Sequence, residues 1–416
     1  MMLDISPWER QYLRSLAVRQ REYAALPVMR EREKQWTSVN TGLLAPAPVI
    51  VETDTFDEEF LPRELLRCSG EAAVQIEMRL LRTLRNHEYL DDDKVVPDVY
   101  PVSHPTVIND FGFNIEAVHA SDSHGRTIGF RHEHPLADLE NSISLLKPAT
   151  ISCDRSVGDT WHAFVSDVLG DILPVQFEDH PPMIDLTEKV IRLMGMDHFY
   201  TALYDSPDKV HELMQILCDN QVRIMKFHEE EGLLNLNNGN QHTGVSSFGY
   251  TTELPQPGFT GKVRLLDLWI WAELEETVGL SPAMFREFCL PYMAEACRHL
   301  GLIYYGCCEP VHLVWESLIA QIPNIRKVSI SPWCDQIQMG DYLRQTPIIF
   351  SRKPSPLYLG VATVLDEPAW SAHIRETLDA AKGCSCEIIM RDNYKVGSLE
   401  RVRRAVELAR KEAWRA

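Results

Sequence analysis

The second half of the chain alternates regularly between strand-like and helix-like segments. Short runs rich in β-branched and aromatic residues recur after Gly232, and helical patterns separate most of them. Strands that alternate with helices indicate parallel β/α units. The strand candidates are Leu233–Asn238, Val263–Trp269, Leu302–Gly306, Lys327–Pro332, Ile348–Ser351 and Glu387–Arg391, and the helical patterns cover 281–299, 311–321, 334–343 and 367–382.

Two earlier strand candidates, Pro46–Val51 and Val95–Val102, bring the total to the eight that close a barrel. The sequence therefore predicts an α/β fold of the (β/α)8 TIM barrel type, with residues 1–416 as a single domain. Residues 1–45 are predicted to form an N-terminal helical extension. The irregular stretch 105–180 is predicted to be a long insertion over the barrel mouth, because long connections in compact domains tend to be lids or binding loops.

Charge and cysteine content limit the partners and the location. The 416 residues carry a formal net charge of −19, which argues against a nucleic-acid partner or an anionic membrane surface. No apolar run approaches the roughly 18 residues of a membrane span, and no signal peptide is recognisable. Ten cysteines in such a chain are expected to be reduced thiols, which favours a cytoplasmic location.

The strongest candidate for chemistry follows the fifth predicted strand. Cys307, Cys308 and Glu309 come directly after Gly306, and the C-terminal ends of barrel strands carry the active site. Thiolates beside a carboxylate suit zinc, which accepts sulfur and oxygen ligands and keeps one position open in catalytic sites. His242, in a loop after the third predicted strand of the barrel, is a further candidate ligand. The alternative is that both thiols are small core residues.

Other side chains are predicted at the same strand ends. Asp267, Lys353 and Asp392 are the candidates for catalysis, while aromatic and hydroxyl side chains would bind substrate. The latter group comprises Trp269, Trp271, Ser331, Trp333 and Tyr394. The chain contains no Ser-His-Asp arrangement, Gly-rich phosphate loop or HExxH helix, so nucleotide-dependent chemistry is not expected.

Four further cysteines are predicted to be structural. Cys289 and Cys297 fall on a helical pattern as core residues. Cys384 and Cys386 precede the last predicted strand, so they should lie at the opposite, stability-determining end of the barrel.

Several motifs taken together resemble the uroporphyrinogen decarboxylase-like superfamily, in the branch near corrinoid-dependent zinc methyltransferases. The motifs are Asp-Leu-Trp-Ile-Trp-Ala-Glu (267–273), Ser-Pro-Ala-Met-Phe (281–285), Leu-Pro-Tyr (290–292), Tyr-Gly-Cys-Cys-Glu-Pro (305–310), Ser-Ile-Ser-Pro-Trp (329–333) and Arg-Lys-Pro-Ser-Pro (352–356). The resemblance implies a β/α barrel with its site at the C-terminal mouth. It also implies methyl transfer, a zinc ion and a corrinoid.

The chain departs from this family at two positions that bear on function. Acidic residues follow the first predicted strand, where the decarboxylase has an arginine-bearing loop, so porphyrinogen decarboxylation is not expected. The thiol-directed methyltransferases have His-x-Cys at the corresponding strand end, whereas Tyr305 and Gly306 occupy the histidine position here. A zinc site must then recruit another ligand, for which Glu309 is the nearest candidate.

The leading hypothesis is a zinc-dependent methyltransferase that moves a methyl group between a small substrate and a corrinoid protein. A methyl ether, a methylamine and a thiol all remain open as substrates. The corrinoid would arrive on a separate protein, because the chain lacks the cobalamin-binding pattern Asp-x-His-x-x-Gly. Two alternatives are a metal-independent decarboxylase or lyase using Asp267 and Lys353, and a non-catalytic barrel that binds a corrinoid protein. A homodimer is a further expectation, since large barrels of this kind often dimerise.

Overall fold

The structure is a computed structural model that describes residues 3–113, 115, 117–121 and 127–415. Residues 114, 116 and 122–126 of the predicted insertion lie outside the described residues.

The described residues form fourteen strands and fifteen α-helices, with several short 3-10 turns and one π-helical turn between them. The strands are β1 Val49–Val51, β2 Tyr100–Val102, β3 Thr106–Asn109, β4 Ala117–Ser121, β5 Thr127–His132, β6 Thr150–Cys153, β7 Val175–Phe177, β8 His242–Gly244, β9 Ser247–Phe248, β10 Trp269–Ala272, β11 Leu302–Tyr305, β12 Ile325–Ile330, β13 Ile349–Arg352 and β14 Cys386–Met390. The helices are α1 Pro7–Ala24, α2 Pro27–Asn40, α3 Asp57–Phe60, α4 Glu71–Arg85, α5 Leu139–Ser142, α6 Arg155–Leu169, α7 Leu186–Met194, α8 Met196–Asp205, α9 Pro207–Glu230, α10 Pro282–Phe288, α11 Leu290–Cys297, α12 Trp315–Gln321, α13 Gln336–Leu343, α14 Glu367–Ala380 and α15 Leu399–Ala413.

A six-stranded parallel sheet is the centre of the fold. Its strand order is β1-β14-β13-β12-β11-β10, and every pairing within it is parallel. Most residues of these strands are buried, because helices connect successive parallel strands and cover the outer face of the sheet. The fold is therefore α/β, with the six strands curved into half of a barrel wall.

The fourth predicted barrel strand is displaced along the chain. The sequence analysis placed it at Val263–Trp269, whereas β10 begins only at Trp269. Residues 265–267 form a 3-10 turn that Arg264 and Asp267 hold together by side-chain hydrogen bonds. The prediction of this strand was wrong because the side-chain hydrogen bonds stabilise a turn at residues 265–267, although the apolar residues there favour a strand.

The predicted strand Leu233–Asn238 does not form either. Asparagine recurs in this segment and disfavours regular strand pairing. The Asn237 side chain instead pairs with the edge of the sheet: its Oδ1 accepts from Trp269 N at 2.9 Å, and its Nδ2 donates to Trp269 O at 2.8 Å. A side-chain amide therefore makes the hydrogen bonds that a neighbouring strand would have made.

The predicted 105–180 insertion is more regular than the sequence indicated. It contains the antiparallel pairs β3–β6 and β4–β5 and the strand β7, which pairs in parallel with β2. Its helix α6 packs against α1 and shares an apolar cluster with α1 and α4. Part of this segment therefore packs against the helical extension, because Val165 and Leu169 of α6 are buried in the apolar cluster shared with α1 and α4.

Most of the predicted helical extension is occupied by α1 and α2. Ser6 caps α1, since its side chain accepts from Glu9 N while the Glu9 carboxylate accepts from Ser6 N at 2.9 Å. Helix α2 contributes Met29 and Trp36 to a cluster with Ile50 and Ile389 of the sheet. Among the described residues, none of the helices combines the length and the apolar character needed to cross a bilayer.

Candidate metal centre

Two neighbouring strand ends bring the candidate ligands together. Strands β10 and β11 run in parallel with Ala272 opposite Tyr305, and Gly306 N donates to Ala272 O at 2.8 Å. The loops that leave these strands therefore begin side by side at the C-terminal edge of the sheet.

Glu275, Cys307 and Cys308 form a cluster in which one ligand atom from each residue lies within 4.8 Å of the others. The two sulfurs are 3.7 Å apart. Cys307 is buried, whereas Cys308 and Glu275 are half-buried, so one side of the cluster is open to solvent. Within the described part of the chain this is the one such group of three, and its two sulfurs and one carboxylate oxygen match the donors that zinc accepts.

The turn that carries the two thiols is held rigidly. Gly306 adopts φ +92°, a conformation that glycine tolerates and other residues rarely adopt. Trp271 Nε1 donates to Gly306 O at 3.0 Å, and Ser329 Oγ donates to Cys307 O at 2.7 Å. The side chains of two neighbouring strands thus fix the backbone on either side of Cys307.

Glu309 anchors this turn. It is buried, and its Oε2 accepts from Cys307 N at 2.7 Å while its Oε1 lies 3.5 Å from the donor Leu274 N. Burial raises the pKa of Glu309 to about 7, against the lowering effect of the Cys307 N–H bond. Glu309 was predicted as a metal ligand, but the structure engages both of its oxygens with backbone amides and leaves it outside the ligand cluster.

The hydrogen bonds of Glu309 predict an effect on the free energy of unfolding. Two substitutions distinguish the role of its oxygens as hydrogen-bond acceptors from the role of its charge. Glu309→Ala should lower the free energy of unfolding by about 1–3 kcal/mol, because it leaves buried N–H groups without an acceptor. Glu309→Gln should cost less, since its amide oxygen still accepts from Cys307 N. Urea denaturation measures both, with exposed Glu316→Ala as the control. Equal losses for the Ala and Gln variants would contradict the acceptor role.

One guanidinium borders the thiols. Arg391 follows β14, and its Nη1 lies 3.4 Å from Cys307 Sγ while its Nε lies 2.9 Å from Glu52 Oε2. The pKa of the Cys307 thiol is raised by its hydrogen bond with Cys308 and by burial, against the lowering effect of Arg391.

Burial, with the nearby Cys307 and Glu309, raises the pKa of Glu273 to about 10. Acidic groups thus surround the guanidinium of Arg391 in this site, an arrangement that a divalent cation would stabilise.

His242, the other predicted metal ligand, lies outside the Glu275–Cys307–Cys308 cluster. It begins β8 and lines a separate cavity, where its ring lies 4.7 Å from that of Phe248. The His242 side chain is accessible from the cavity, but the surrounding protein desolvates its ring and lowers its pKa to about 4, with a contribution from the positive charge of Lys94.

Asp267 lies at the N-terminal end of the parallel strands, whereas the thiols lie at the C-terminal end. It precedes β10, is fully buried, and accepts hydrogen bonds from Arg264 Nη2 at 2.8 Å and Gln256 N at 2.9 Å. Its expected position at a C-terminal strand end is wrong, because the strand begins after it. Trp269 opens β10 in the core, and its indole N–H donates to Gly249 O at 3.0 Å.

The remaining predicted substrate-binding residues are spread over the C-terminal edge. Trp271 is half-buried beside the Cys307 turn, and Ser331 is buried directly after β12. Trp333 and Tyr394 are 72% and 69% exposed, so both side chains project from the loops into solvent. Asp392 lies 3.6 Å from the Arg391 guanidinium, next to the cluster.

Lys353 belongs to a polar network buried against the sheet. Its Nζ donates to Tyr304 Oη and, at 2.6 Å, to Ser351 Oγ. Ser351 Oγ also contacts Glu387, which pairs with Lys327 Nζ at 3.1 Å. Burial lowers the pKa of Lys353 to about 7, although the Glu387 carboxylate acts in the opposite direction. The amine is therefore a candidate proton donor or acceptor near neutral pH.

The sequence reasoning missed Glu273, Glu275 and Arg391. The first two were overlooked because the predicted strand ended at Trp269, three residues before the actual C-terminal end of β10 at Ala272. A strand over Trp-Ile-Trp-Ala (269–272) would have placed Glu273 and Glu275 at the strand end. Arg391 had been placed at a strand end, but nothing local indicated its contact with a thiol 84 residues away.

The fold and the site together define a class: an α/β protein with a parallel sheet whose C-terminal edge carries a thiol and carboxylate cluster. No protein-family model matches the chain, and no curated protein matches it at the sequence level. Among solved structures, the chain is similar to a methyltransferase from Methanosarcina mazei, with a TM-score of 0.52 and 12% sequence identity. The similarity covers 92% of this chain and 99% of the other, and at this identity it shows a common fold.

Proposed function

We propose that this protein is a zinc-dependent methyltransferase that moves a methyl group between a small substrate and a corrinoid carried by a partner protein. The observation that carries the proposal is the Glu275–Cys307–Cys308 cluster at the C-terminal edge of the sheet. The similarity of fold to a methyltransferase supports it. In this proposal the six strands belong to an eight-stranded (β/α)8 barrel. The Asn237 side chain takes the place of part of the strand that would pair with β10.

Glu275, Cys307 and Cys308 would hold the zinc ion. Three protein ligands leave one position of a tetrahedral site for a substrate atom, which is the pattern of catalytic zinc sites. When bound, zinc would supply Lewis acidity that stabilises a substrate thiolate or a leaving group.

The surrounding residues would prepare these ligands. Arg391 would stabilise the Cys307 thiolate through its contact at 3.4 Å, and Glu309 would hold the turn in place through Cys307 N. Trp271 would form one wall of the substrate position, since its ring lies against the same turn. Lys353 could exchange a proton near neutral pH, because its pKa is about 7.

The metal-independent lyase is less well supported. It requires Asp267 and Lys353 to act together, yet Asp267 precedes β10 and Lys353 follows β13. Asp267 lies at the N-terminal end of its strand and Lys353 at the C-terminal end of its own, so the lyase would need two groups from opposite ends of the parallel strands.

The proposal predicts metal-dependent methyl transfer. Methylcobalamin can replace the methylated carrier and a small thiol can act as the acceptor, with the loss of methylcobalamin followed by its visible absorbance. Turnover should disappear after chelation and return with Zn²⁺. Full turnover by the metal-free protein would contradict the zinc proposal, and absence of turnover with bound zinc and a range of acceptors would favour the non-catalytic barrel.

A further inference from the structure

A cavity of ≈ 670 Å³ lies between the helical extension and the C-terminal edge of the sheet. Its walls include Gln20 of α1, Glu33 of α2 and Arg79 of α4, and Glu52 and Val95 from the segments near β1. We call it the extension cavity. Its volume is that of a small-molecule site. Glu52 connects it to the metal centre, since the same carboxylate pairs with Arg391.

Acidic side chains outnumber basic ones around the extension cavity. Five carboxylates line it against three basic groups, and His242 is neutral at pH 7. The carboxylates are Glu33, Glu52, Asp54, Asp98 and Glu178, and the basic groups are Arg79, Arg82 and Lys94.

Most of the basic groups are already paired. Arg82 lies 2.6 Å from Asp57, and Lys94 lies 3.4 Å from Asp92, so carboxylates behind the wall neutralise both. By contrast, Glu33, Asp98 and Glu178 form no ion pair with any described residue. Arg79 is left to balance three carboxylates, and the cavity therefore retains a negative potential.

Aromatic side chains form another part of the wall. Tyr100 and Phe248 are buried, while Tyr250 is half-buried, and the His242 ring is tilted against that of Phe248. Burial and the nearby carboxylates of Glu33 and Asp98 raise the pKa of the Tyr250 phenol. The phenol is therefore uncharged at neutral pH, and its ring and the two carboxylates line the same cavity.

We infer that the extension cavity binds a small organic cation of the alkylated ammonium class. Carboxylates supply long-range attraction for a cation, and aromatic faces stabilise alkylated ammonium groups by cation–π interaction. A bulky alkylated ammonium ion also sheds its hydration more readily than a metal ion does, which suits a wall with both apolar and acidic parts. This inference concerns the cavity alone and does not depend on zinc or on methyl transfer.

Choline chloride and 3,3-dimethylbutan-1-ol test the inference on the full-length protein. The two compounds have nearly the same shape, but only choline carries a positive charge. Isothermal titration calorimetry should show choline binding about tenfold or more tightly than the neutral alcohol. Equal affinity for the two compounds, or failure of choline to bind, would overturn the inference.

A variant pair locates the site. Glu33→Gln/Asp98→Asn should weaken choline binding about tenfold while leaving the thermal unfolding midpoint and the zinc content unchanged. Glu31→Gln is the matched control, because Glu31 is exposed on the same helix and does not line the cavity. Unchanged choline affinity in the double variant would place the binding elsewhere and overturn the assignment.

Discussion

The Cys307→Ser/Cys308→Ser double variant is expected to purify with almost no zinc, where the wild type carries about one ion per chain. Two of the three proposed donors are lost, and serine oxygens are poor zinc ligands at neutral pH. Metal analysis by mass spectrometry gives the stoichiometry. Substitution with Co²⁺ adds a second readout, because thiolate ligation gives an absorption band that the variant should lack.

A matched control exists within the chain. Cys153→Ser/Cys334→Ser removes one half-buried and one buried thiol, as the test variant does, but both thiols lie outside the ligand cluster. This control should keep its zinc. Wild-type zinc content in the Cys307→Ser/Cys308→Ser protein, with an unchanged circular dichroism spectrum, would refute the proposed metal centre.

Glu387→Ala should lower the free energy of unfolding by about 3–5 kcal/mol. Glu387 is fully buried in β14, where it pairs with Lys327 and accepts from Ser247 Oγ at 2.8 Å and from Ser351 Oγ. Its loss leaves Lys327 and Lys353 buried without a counter-charge. Burial acts to raise the pKa of Glu387, but these two lysines and the hydrogen bonds from Ser351 and Ser247 together lower that pKa. The carboxylate is therefore charged at neutral pH and its removal is costly.

Urea denaturation measures this effect against Glu367→Ala. The Glu367 side chain pairs with Arg404 at 2.8 Å at the surface, so its loss should cost no more than about 1 kcal/mol. If Glu387→Ala fails to fold, Glu387→Met/Lys327→Met should restore folding, because it removes both charges of the pair. A cost for Glu387→Ala no larger than that for Glu367→Ala would contradict the importance of the buried network.

The sequence anticipated much of the sheet. Strands β11 to β14 lie where their β-branched and aromatic runs predicted them, since fully buried parallel strands read as continuous apolar segments. The assignments of Cys289 and Cys297 to the core, and of Cys386 to the N-terminal end of β14, are confirmed. All ten cysteines are free, as predicted for reduced thiols, while the cytoplasmic location stays a prediction.

The candidate site was less predictable where it depends on register. The predicted strand ended at Trp269, three residues before the end of β10 at Ala272, so the prediction selected Asp267, which precedes β10, instead of Glu275, which follows it. Periodicity specifies the type of an element better than its ends, and the chemistry of a parallel sheet depends on those ends.

The sequence by itself determined the alternation of strands and helices and the adjacency of two thiols at a strand end, because propensity and patterning are local properties. Only the tertiary structure decided which groups meet those thiols. Parallel pairing of β10 with β11 brings Glu275 to Cys308, and the return of the chain through β14 brings Arg391 to Cys307. The tertiary structure also directs the Glu309 carboxylate toward backbone amides, since a buried carboxylate needs hydrogen-bond donors and the backbone supplies them here.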